Sequence, residues 1–265
     1  MSIFRRDSIV MRLKTSLLFV LFSHLFMIQS CTPSKTPLVF GHRGARGHVA
    51  ENTLPSIAKA LDLGVDGIEI DIFQCASGEL VVFHDQTLDK LTNTTGFIEQ
   101  LDLDSIQKIE VLGGYTIPTL QEVLDLINGQ VILNIELKGT RTAHQTHAIL
   151  QDYFESGSWQ PNQILISSFN WEELQLFYEK NKTVPIAVLT EDDPLDAIPT
   201  ALALEAVAIN PNHRTLNEAN VKKIKAAGFQ LYPWTVNTPE DIQKMYALGV
   251  DAIITDYPER VNGIP

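Results

Sequence analysis

From residue 38 onward, short apolar runs alternate with longer amphipathic stretches along the chain. The apolar runs are short, rich in Val, Ile and Phe, and nearly continuous, which is typical of strands buried on both faces of a sheet. They predict nine strands, at residues 38–42, 67–73, 80–85, 131–138, 163–169, 184–190, 206–211, 230–236 and 252–256.

Between most of these runs, apolar residues recur at spacings of three and four, the period of an amphipathic helix. Several such stretches end at a glycine (Gly64, Gly228 and Gly249), the usual helix stop signal. They predict helices within residues 52–64, 118–127, 144–156, 170–180, 217–228 and 238–249.

The order of the elements predicts the fold. Strands separated by helices of this length indicate βαβ units and a parallel sheet. The second and third strands are joined only by QCASGE, which is too short for a crossover helix, so these two must pair antiparallel. Eight parallel strands remain, and no GxGxxG or Walker motif follows any of them. We therefore predict an α/β domain over 38–265, a (β/α)8 TIM barrel with an additional β-hairpin near the active-site rim, rather than an open doubly wound sheet.

The N-terminal residues have the features of an export signal. Basic residues precede an apolar run at 17–28, which is too short to span a bilayer, and Ser30 then precedes Cys31. The ending IQSC resembles a bacterial lipobox, whose cysteine is lipidated. We expect a lipoprotein-type signal peptide at 1–30, lipidation of Cys31, a tether at 31–37, and a periplasmic or cell-envelope location in a bacterium. A secretory signal cleaved elsewhere, or a start at Met11, are the alternatives. Cys75 then has no partner, so we expect no disulfide.

The charge balance narrows the class of partner. The formal net charge of −12 argues against nucleic acid and anionic membrane surfaces as partners. An anionic substrate would need a locally positive pocket. The stretch GHRGARGHVAEN at 41–52 supplies one, with His42 and Arg43 at the end of the first predicted strand and Arg46 and His48 in the loop that follows. No role is assigned to the last two.

Acidic residues also collect at predicted strand ends, where TIM barrels place their catalytic groups. Glu69 and Asp71 are two apart on one strand and so face the same side, about 7 Å apart. Glu136 and Lys138 repeat the pattern on another strand. Each pair alone would suit a buried ion pair, but three adjacent carboxylates are costly to bury unless a cation joins them. All-oxygen ligation favours one divalent cation, Ca²⁺ or Mg²⁺.

A second histidine is predicted to reach this cluster. If the hairpin turn centres near residues 77 and 78, facing residues have numbers that sum to about 155, which places His84 opposite Asp71 and towards His42. Two imidazoles beside an anion suit general acid–base catalysis. The remaining downstream histidines are predicted to lie on the surface: His144, His147 and His213.

Eight motifs at these strand ends resemble those of the glycerophosphodiester phosphodiesterases, over about residues 38 to 260. Two departures lie beside the site: Ala50 stands where many members have proline, and QCAS replaces a more polar approach to the hairpin. The motifs are HRG at 42–44, ENT at 51–53, GIEIDI at 67–72, VVFHD at 81–85, IELKG at 135–139, SF at 168–169, WTVN at 234–237 and ITDYP at 254–258.

The resemblance implies a metal-dependent TIM barrel that hydrolyses glycerophosphodiesters to sn-glycerol 3-phosphate and an alcohol. The short segment between residues 84 and 119 indicates that the larger inserted domain of some members is absent. The implied roles are metal ligands for Glu69, Asp71 and Glu136, the acid–base pair for His42 and His84, phosphate contacts for Arg43 and Lys138, the ENT acid of the substrate site for Glu51, and the glycerol side for Trp234.

Two other functions fit parts of the pattern. A lysophospholipase D-like enzyme would use the same site on lysophospholipids, which a lipid-anchored protein could meet at a membrane. A non-catalytic phosphodiester-binding protein would have lost His42, His84 or one metal carboxylate, and all of these are present. The expected partner is thus a small-molecule glycerophosphodiester, with membrane association through the N-terminal lipid anchor and no nucleic acid.

Overall fold

The computed structural model describes residues 36–263, so the predicted signal peptide and Cys31 lie outside the described residues. Within that range no helix combines the length and apolarity needed to cross a membrane. The strands are β1 (Leu38–His42), β2 (Gly67–Gln74), β3 (Leu80–Val82), β4 (Glu110–Val111), β5 (Tyr115–Thr116), β6 (Ile132–Leu137), β7 (Ile164–Ser168), β8 (Ile186–Thr190), β9 (Ala208–Pro211), β10 (Gln230–Leu231) and β11 (Ala252–Thr255). The helices are α1 (Leu54–Asp62), α2 (Leu103–Ile106), α3 (Leu120–Ile127), α4 (Thr142–Glu155), α5 (Trp171–Lys180), α6 (Ile198–Ala203), α7 (Glu218–Ala226), α8 (Pro239–Leu248) and α9 (Pro258–Asn262).

Eight parallel strands form the predicted barrel, in the order β10-β9-β8-β7-β6-β2-β1-β11. Backbone hydrogen bonds beyond the end of β10 close it against β11. The Ile254 N–H donates to the Pro233 carbonyl at 3.0 Å, and the Val236 N–H donates to the Ile254 carbonyl at 3.0 Å. A helix follows each barrel strand. The prediction of a (β/α)8 TIM barrel is confirmed.

The strands bury both of their faces, which explains their continuous apolar runs. The outward faces pack under the helices in the largest apolar cluster, which contains Ile68, Ile135 and Ile166. The inward faces fill the barrel with a second cluster, which contains Phe40 and Tyr232. Side chains along each strand point alternately outward and inward. The inward positions nearest the C-terminal ends are occupied by the polar residues of the site.

The predicted hairpin is present, but its register differs by one residue. The Cys75 N–H donates to the Glu79 carbonyl, which centres the turn on residue 77, and Ile72 pairs with Val82. Strand β3 therefore ends at Val82, and the Phe83 N–H donates to the Asp71 carbonyl at 3.0 Å. The predicted pairing of His84 with Asp71 across the ladder is wrong.

Residues 83–119, here called the insertion, leave the barrel between β3 and α3. They contain α2 and the β4–β5 hairpin, which were not predicted because elements of two to four residues show no periodicity. The insertion packs with the β2–β3 hairpin in a small apolar cluster, which includes Leu88, Ile98 and Ile106 from the insertion and Phe73 and Val81 from the hairpin. It returns to its starting point, since the Val82 N–H donates to the Pro118 carbonyl at 2.8 Å.

Strand β10 is much shorter than the predicted strand at 230–236. It ends at Leu231, and Pro233, which has no N–H to donate, follows two residues later. Helices α6 and α9 were also missed, because six and five residues are too few to show a helical period.

Candidate active site

A cavity of about 340 Å³ opens at the C-terminal ends of the barrel strands. Seven of the predicted site residues line it: His42, Arg43, Glu69, His84, Glu136, Lys138 and Trp234. Asp71 and Glu51 are buried behind this surface. The remaining lining residues are Arg46, Asn134, Ser167, Phe169, Leu189, Glu191, Thr235 and Ile254.

Three buried carboxylates meet beside the cavity. Glu69, Asp71 and Glu136 each contribute an oxygen, and these atoms lie within 4.8 Å of one another. Burial and the neighbouring carboxylates raise the pKa of Glu69 well above its usual range and the pKa of Glu136 to about 8. Burial acts in the same direction on Asp71, but the charges of Arg43, His84 and Lys138 outweigh it and lower the pKa of that carboxyl.

The donor set fits a hard divalent cation. Asp71 Oδ1 is buried and accepts no hydrogen bond from residues 36–263, whereas Oδ2 accepts one from Asn52 Nδ2 at 2.9 Å. An orphaned carboxylate oxygen next to two carboxylates whose charges repel each other is a costly arrangement that a cation relieves. Glu69, Asp71 and Glu136 could therefore hold Ca²⁺ or Mg²⁺, both of which prefer oxygen ligands.

His42 ends β1 and is held by a carboxylate from the neighbouring strand end. Its Nδ1 lies 2.6 Å from Asp256 Oδ1, and Asn237 Nδ2 donates to Asp256 Oδ2 at 2.8 Å. Since a carboxylate accepts the proton on Nδ1, the lone pair is left on Nε2, which lies 3.9 Å from Glu69 Oε2. Burial lowers the pKa of His42, although its hydrogen bond with Asp256 acts in the opposite direction.

His84 lies just beyond β3 and has a similar arrangement. Its Nδ1 lies 2.5 Å from Asp85 Oδ1, and its Nε2 lies 3.2 Å from Lys138 Nζ. Burial again lowers the pKa of the histidine. Both imidazoles line the cavity with Nδ1 bound to a carboxylate. His42 Nε2 has no hydrogen-bond partner among the described residues, whereas His84 Nε2 lies within hydrogen-bond distance of Lys138 Nζ.

Arg43 ties the first loop to the acidic cluster. Its backbone is left-handed, with φ of 52°, and its N–H donates to Glu69 Oε2 at 3.0 Å. Its guanidinium Nη1 lies 2.5 Å from Glu51 Oε1, and its Nε lies 3.2 Å from Asp71 Oδ2. The next residue, Gly44, has φ of 84°, and a Cβ there would lie 2.6 Å from the Ser56 carbonyl carbon. Glycine is therefore required for this turn.

Glu51 acts on the arginines and does not line the cavity. Its Oε2 lies 2.5 Å from Arg46 Nε, so one carboxylate holds Arg43 and Arg46 together. Arg46 Nη1 also lies 3.7 Å from Asp256 Oδ2. The structure thus gives Arg46 a place in the site, whereas His48 lies outside the cavity, beside Glu259.

Three functional neighbours were missed from the sequence. Asp256 contacts His42 Nδ1, and Asn237 in turn donates to Asp256. Asn52 has a left-handed backbone with φ of 57°. Its side-chain Nδ2 donates to Asp71 Oδ2, and its Oδ1 accepts from the Asp71 N–H. All three lie within the motifs WTVN, ITDYP and ENT, which is the sequence feature that could have identified them.

The wall formed by β7 to β10 is more apolar. Trp234 packs edge-to-face on Phe169 with ring centroids 5.4 Å apart, and its Nε1 donates to the Asn210 carbonyl. Behind this wall, the His213 N–H donates to the Trp234 carbonyl. His213 is buried, so its predicted surface position is wrong: the short turn after β9 folds it inward. His144 is exposed as predicted, and His147 is half-buried.

The sequence matches a known family over most of its length. The profile of the glycerophosphoryl diester phosphodiesterase family matches residues 42–260. A glycerophosphodiester phosphodiesterase of Caldanaerobacter subterraneus subsp. tengcongensis is 35% identical over 236 residues, which is 84% of this chain and 95% of the relative. One of Bacillus subtilis is 32% identical over 247 residues, which is 84% of each chain.

Solved structures share the fold. A phosphodiesterase of Oleispira antarctica, solved with the product sn-glycerol-3-phosphate, has a TM-score of 0.78 and 28% identity, with 86% of this chain and 96% of that one covered. A glycerophosphodiester phosphodiesterase of Thermotoga maritima has a TM-score of 0.69 and 25% identity, with 85% and 96% covered. Given the fold, the site and these matches, the chain belongs to the glycerophosphoryl diester phosphodiesterase family.

Proposed function

We propose that this chain hydrolyses glycerophosphodiesters to sn-glycerol 3-phosphate and an alcohol, with a divalent cation and two histidines as general acid and base. The observation that carries the proposal is a cluster of three carboxylates beside a cavity that is lined by two histidines, each with its own carboxylate on Nδ1. The product named for the Oleispira antarctica structure supports the substrate class.

Binding of the phosphodiester falls to the basic residues. Lys138 Nζ lies 3.0 Å from Glu136 Oε1 and 3.2 Å from His84 Nε2, so its ammonium stands between the acidic cluster and one histidine. Arg43 and Arg46 line the same cavity. These groups would stabilise the negative charge that grows on the phosphoryl oxygens in the transition state.

Proton transfer falls to the histidines. One imidazole takes a proton from the attacking oxygen, which belongs either to water or to the neighbouring glycerol hydroxyl, and the other, in its protonated form, gives a proton to the leaving alkoxide. If the glycerol hydroxyl attacks, a cyclic phosphate forms, and water then opens it to sn-glycerol 3-phosphate. The Nδ1 contacts with Asp256 and Asp85 fix the ring orientation and stabilise the imidazolium. Each such proton transfer typically contributes roughly 10²- to 10⁴-fold.

The carboxylates have a separate role. Glu69, Asp71 and Glu136 would hold the cation, with Asn52 and the Arg43 N–H fixing two of them in place. Ca²⁺ or Mg²⁺ held there would supply positive charge that stabilises the transition state.

The direct test is release of sn-glycerol 3-phosphate from a panel of glycerophosphodiesters with different alcohols, before and after exhaustive chelation. We expect release that is abolished by the chelator and restored by added Ca²⁺ or Mg²⁺. Unchanged activity after chelation would refute the metal site. Tight binding without any product release would instead favour a non-catalytic binding protein.

We also propose export and anchoring through Cys31, from the signal-like residues 1–30. Radiolabelled fatty acid should label the wild-type protein in membranes and leave a Cys31→Ser variant unlabelled. A wild-type protein that stays unlabelled would refute the anchor, and the barrel domain from residue 38 would keep its activity in either case.

A further inference from the structure

One carboxylate that lines the cavity has no part in the mechanism above. Glu191 directly follows β8. Since β8 lies four strands from β1 in either direction around the barrel, Glu191 lies across the mouth of the cavity from His42. Its Oε1 accepts a hydrogen bond from Asn212 Nδ2 at 2.9 Å. Among the described residues, Oε2 accepts no hydrogen bond, and no Lys or Arg pairs with this carboxylate. An oriented acceptor is thus free at the cavity mouth.

The charges around the cavity limit what this acceptor can bind. A carboxylate repels the phosphodiester anion, so it must face a part of the substrate that is cationic or that donates a hydroxyl hydrogen. Arg43, Arg46 and Lys138 line the same cavity and disfavour a cationic group there. A neutral hydroxyl satisfies both conditions.

The neighbouring surface fits a small polyol. Leu189, Phe169 and Trp234 supply apolar and aromatic area, and the Trp234 indole N–H is already occupied by the Asn210 carbonyl. A backbone bridge joins Asn212 to Trp234, so the residue that orients Glu191 is tied to this wall. Apolar lining with a few placed polar groups is the usual composition of a small-ligand site.

We propose that Glu191 accepts a hydrogen bond from the terminal glycerol hydroxyl of the substrate and so selects diesters in which that hydroxyl is free. This assignment rests on the proposed function. The terminal hydroxyl is the glycerol oxygen farthest from the phosphate, which matches the position of Glu191 across the mouth from His42. An acyl ester at the same carbon has no hydrogen to donate and brings an apolar chain against a charge, so lysophospholipids are disfavoured.

The test compares choline release from three substrates: glycerophosphocholine, its analogue that lacks the terminal hydroxyl, and its short-chain acyl ester at that hydroxyl. Glu191→Ala should lower kcat/KM for glycerophosphocholine by roughly 10- to 100-fold, the usual range for a hydrogen bond to a charged group. It should change kcat/KM for the deoxy analogue by less than about 2-fold, because a contact already absent cannot be lost twice. It should raise kcat/KM for the acyl ester, because the apolar chain no longer meets a charge. Glu191→Gln, which keeps an acceptor oxygen, should recover part of the loss.

Asp192→Ala is the matched control, since it removes the same charge from the next, exposed position of the loop. It should leave all three values unchanged. Equal losses in Glu191→Ala on the diester and its deoxy analogue would overturn the assignment, because they would mean that the carboxylate acts on another part of the substrate. If the wild-type enzyme releases no alcohol from any glycerophosphodiester, the proposed function fails and the assignment with it.

Discussion

The two histidines of the site are oriented in the same way but built differently. His42 stands on β1, its side chain is 9% exposed, and its carboxylate partner, Asp256, is 214 residues away beyond β11. His84 stands at the start of the insertion, its side chain is 25% exposed, and its partner is the adjacent Asp85. Each histidine and its carboxylate partner are here called a unit. The His42–Asp256 unit depends on barrel closure, and the His84–Asp85 unit depends on a local turn. The same Nδ1–carboxylate contact is thus formed once in a buried setting between distant parts of the chain and once in a more exposed local turn.

The largest effects should come from the histidines themselves. We expect His42→Ala and His84→Ala each to lower kcat by roughly 10²- to 10⁴-fold with a much smaller change in KM, because each removes a proton-transfer group. Steady-state kinetics on glycerophosphocholine would measure this. His144→Ala, at an exposed helix position, is the matched control. Near-normal kcat in either variant would contradict the acid–base assignment.

Substitutions of the two carboxylate partners should lower kcat to different extents. Asp256→Asn should lower kcat by about 10² -fold or more, because a buried histidine then loses the acceptor that sets its tautomer. Asp85→Asn should cost about 10-fold or less, because water can reach this more exposed ring and screens its ion pair. The ratio of the two kcat values is the measurement. Equal losses would show that exposure does not govern the contribution of the partner.

Substitutions in the two apolar clusters should also distinguish the insertion from the barrel. Leu88→Ala removes a buried side chain from the cluster that the insertion forms with the β2–β3 hairpin, and Leu174→Ala does so under the barrel. Each should cost about 2–5 kcal/mol of local packing. We expect Leu88→Ala to speed amide exchange in residues 83–119 and to lower kcat, and Leu174→Ala to lower the Tm more while sparing kcat. The reverse pattern would mean that the insertion does not position His84.

The smallest effect concerns Lys90, whose Nζ lies 3.6 Å from Asp85 Oδ2 on a side chain that is 64% exposed. Exposed ion pairs contribute little, so Lys90→Ala should change kcat less than about 2-fold. Arg46→Ala is the comparison on the His42 side and should cost more, because Arg46 pairs with the buried Glu51. A large effect of Lys90→Ala would reveal that Asp85 depends on its outer partner.

Much of the barrel could be predicted because its strands and helices are long enough to show a period. The spacing of Glu69 and Asp71 placed both on one face, and three carboxylates at strand ends indicated a cluster that could hold a cation. The Asp256 contact could not be found in this way, because spacing along the chain says nothing about which strand ends meet when the barrel closes. The predicted pairing of His84 with Asp71 was wrong because the turn centres on residue 77 and not between residues 77 and 78, and this half-residue difference shifts every cross-strand partner by one.

The closely spaced ends of the insertion, joined where the Val82 N–H meets the Pro118 carbonyl, have a consequence for diversification. A segment that leaves and rejoins a scaffold at one point can be lengthened or exchanged as a cassette, because the entropy of closing a longer loop rises only slowly with its length. The barrel would tolerate such grafts beyond Asp85. Any graft that reached back to His84 would exchange half of the proposed acid–base pair along with the cassette.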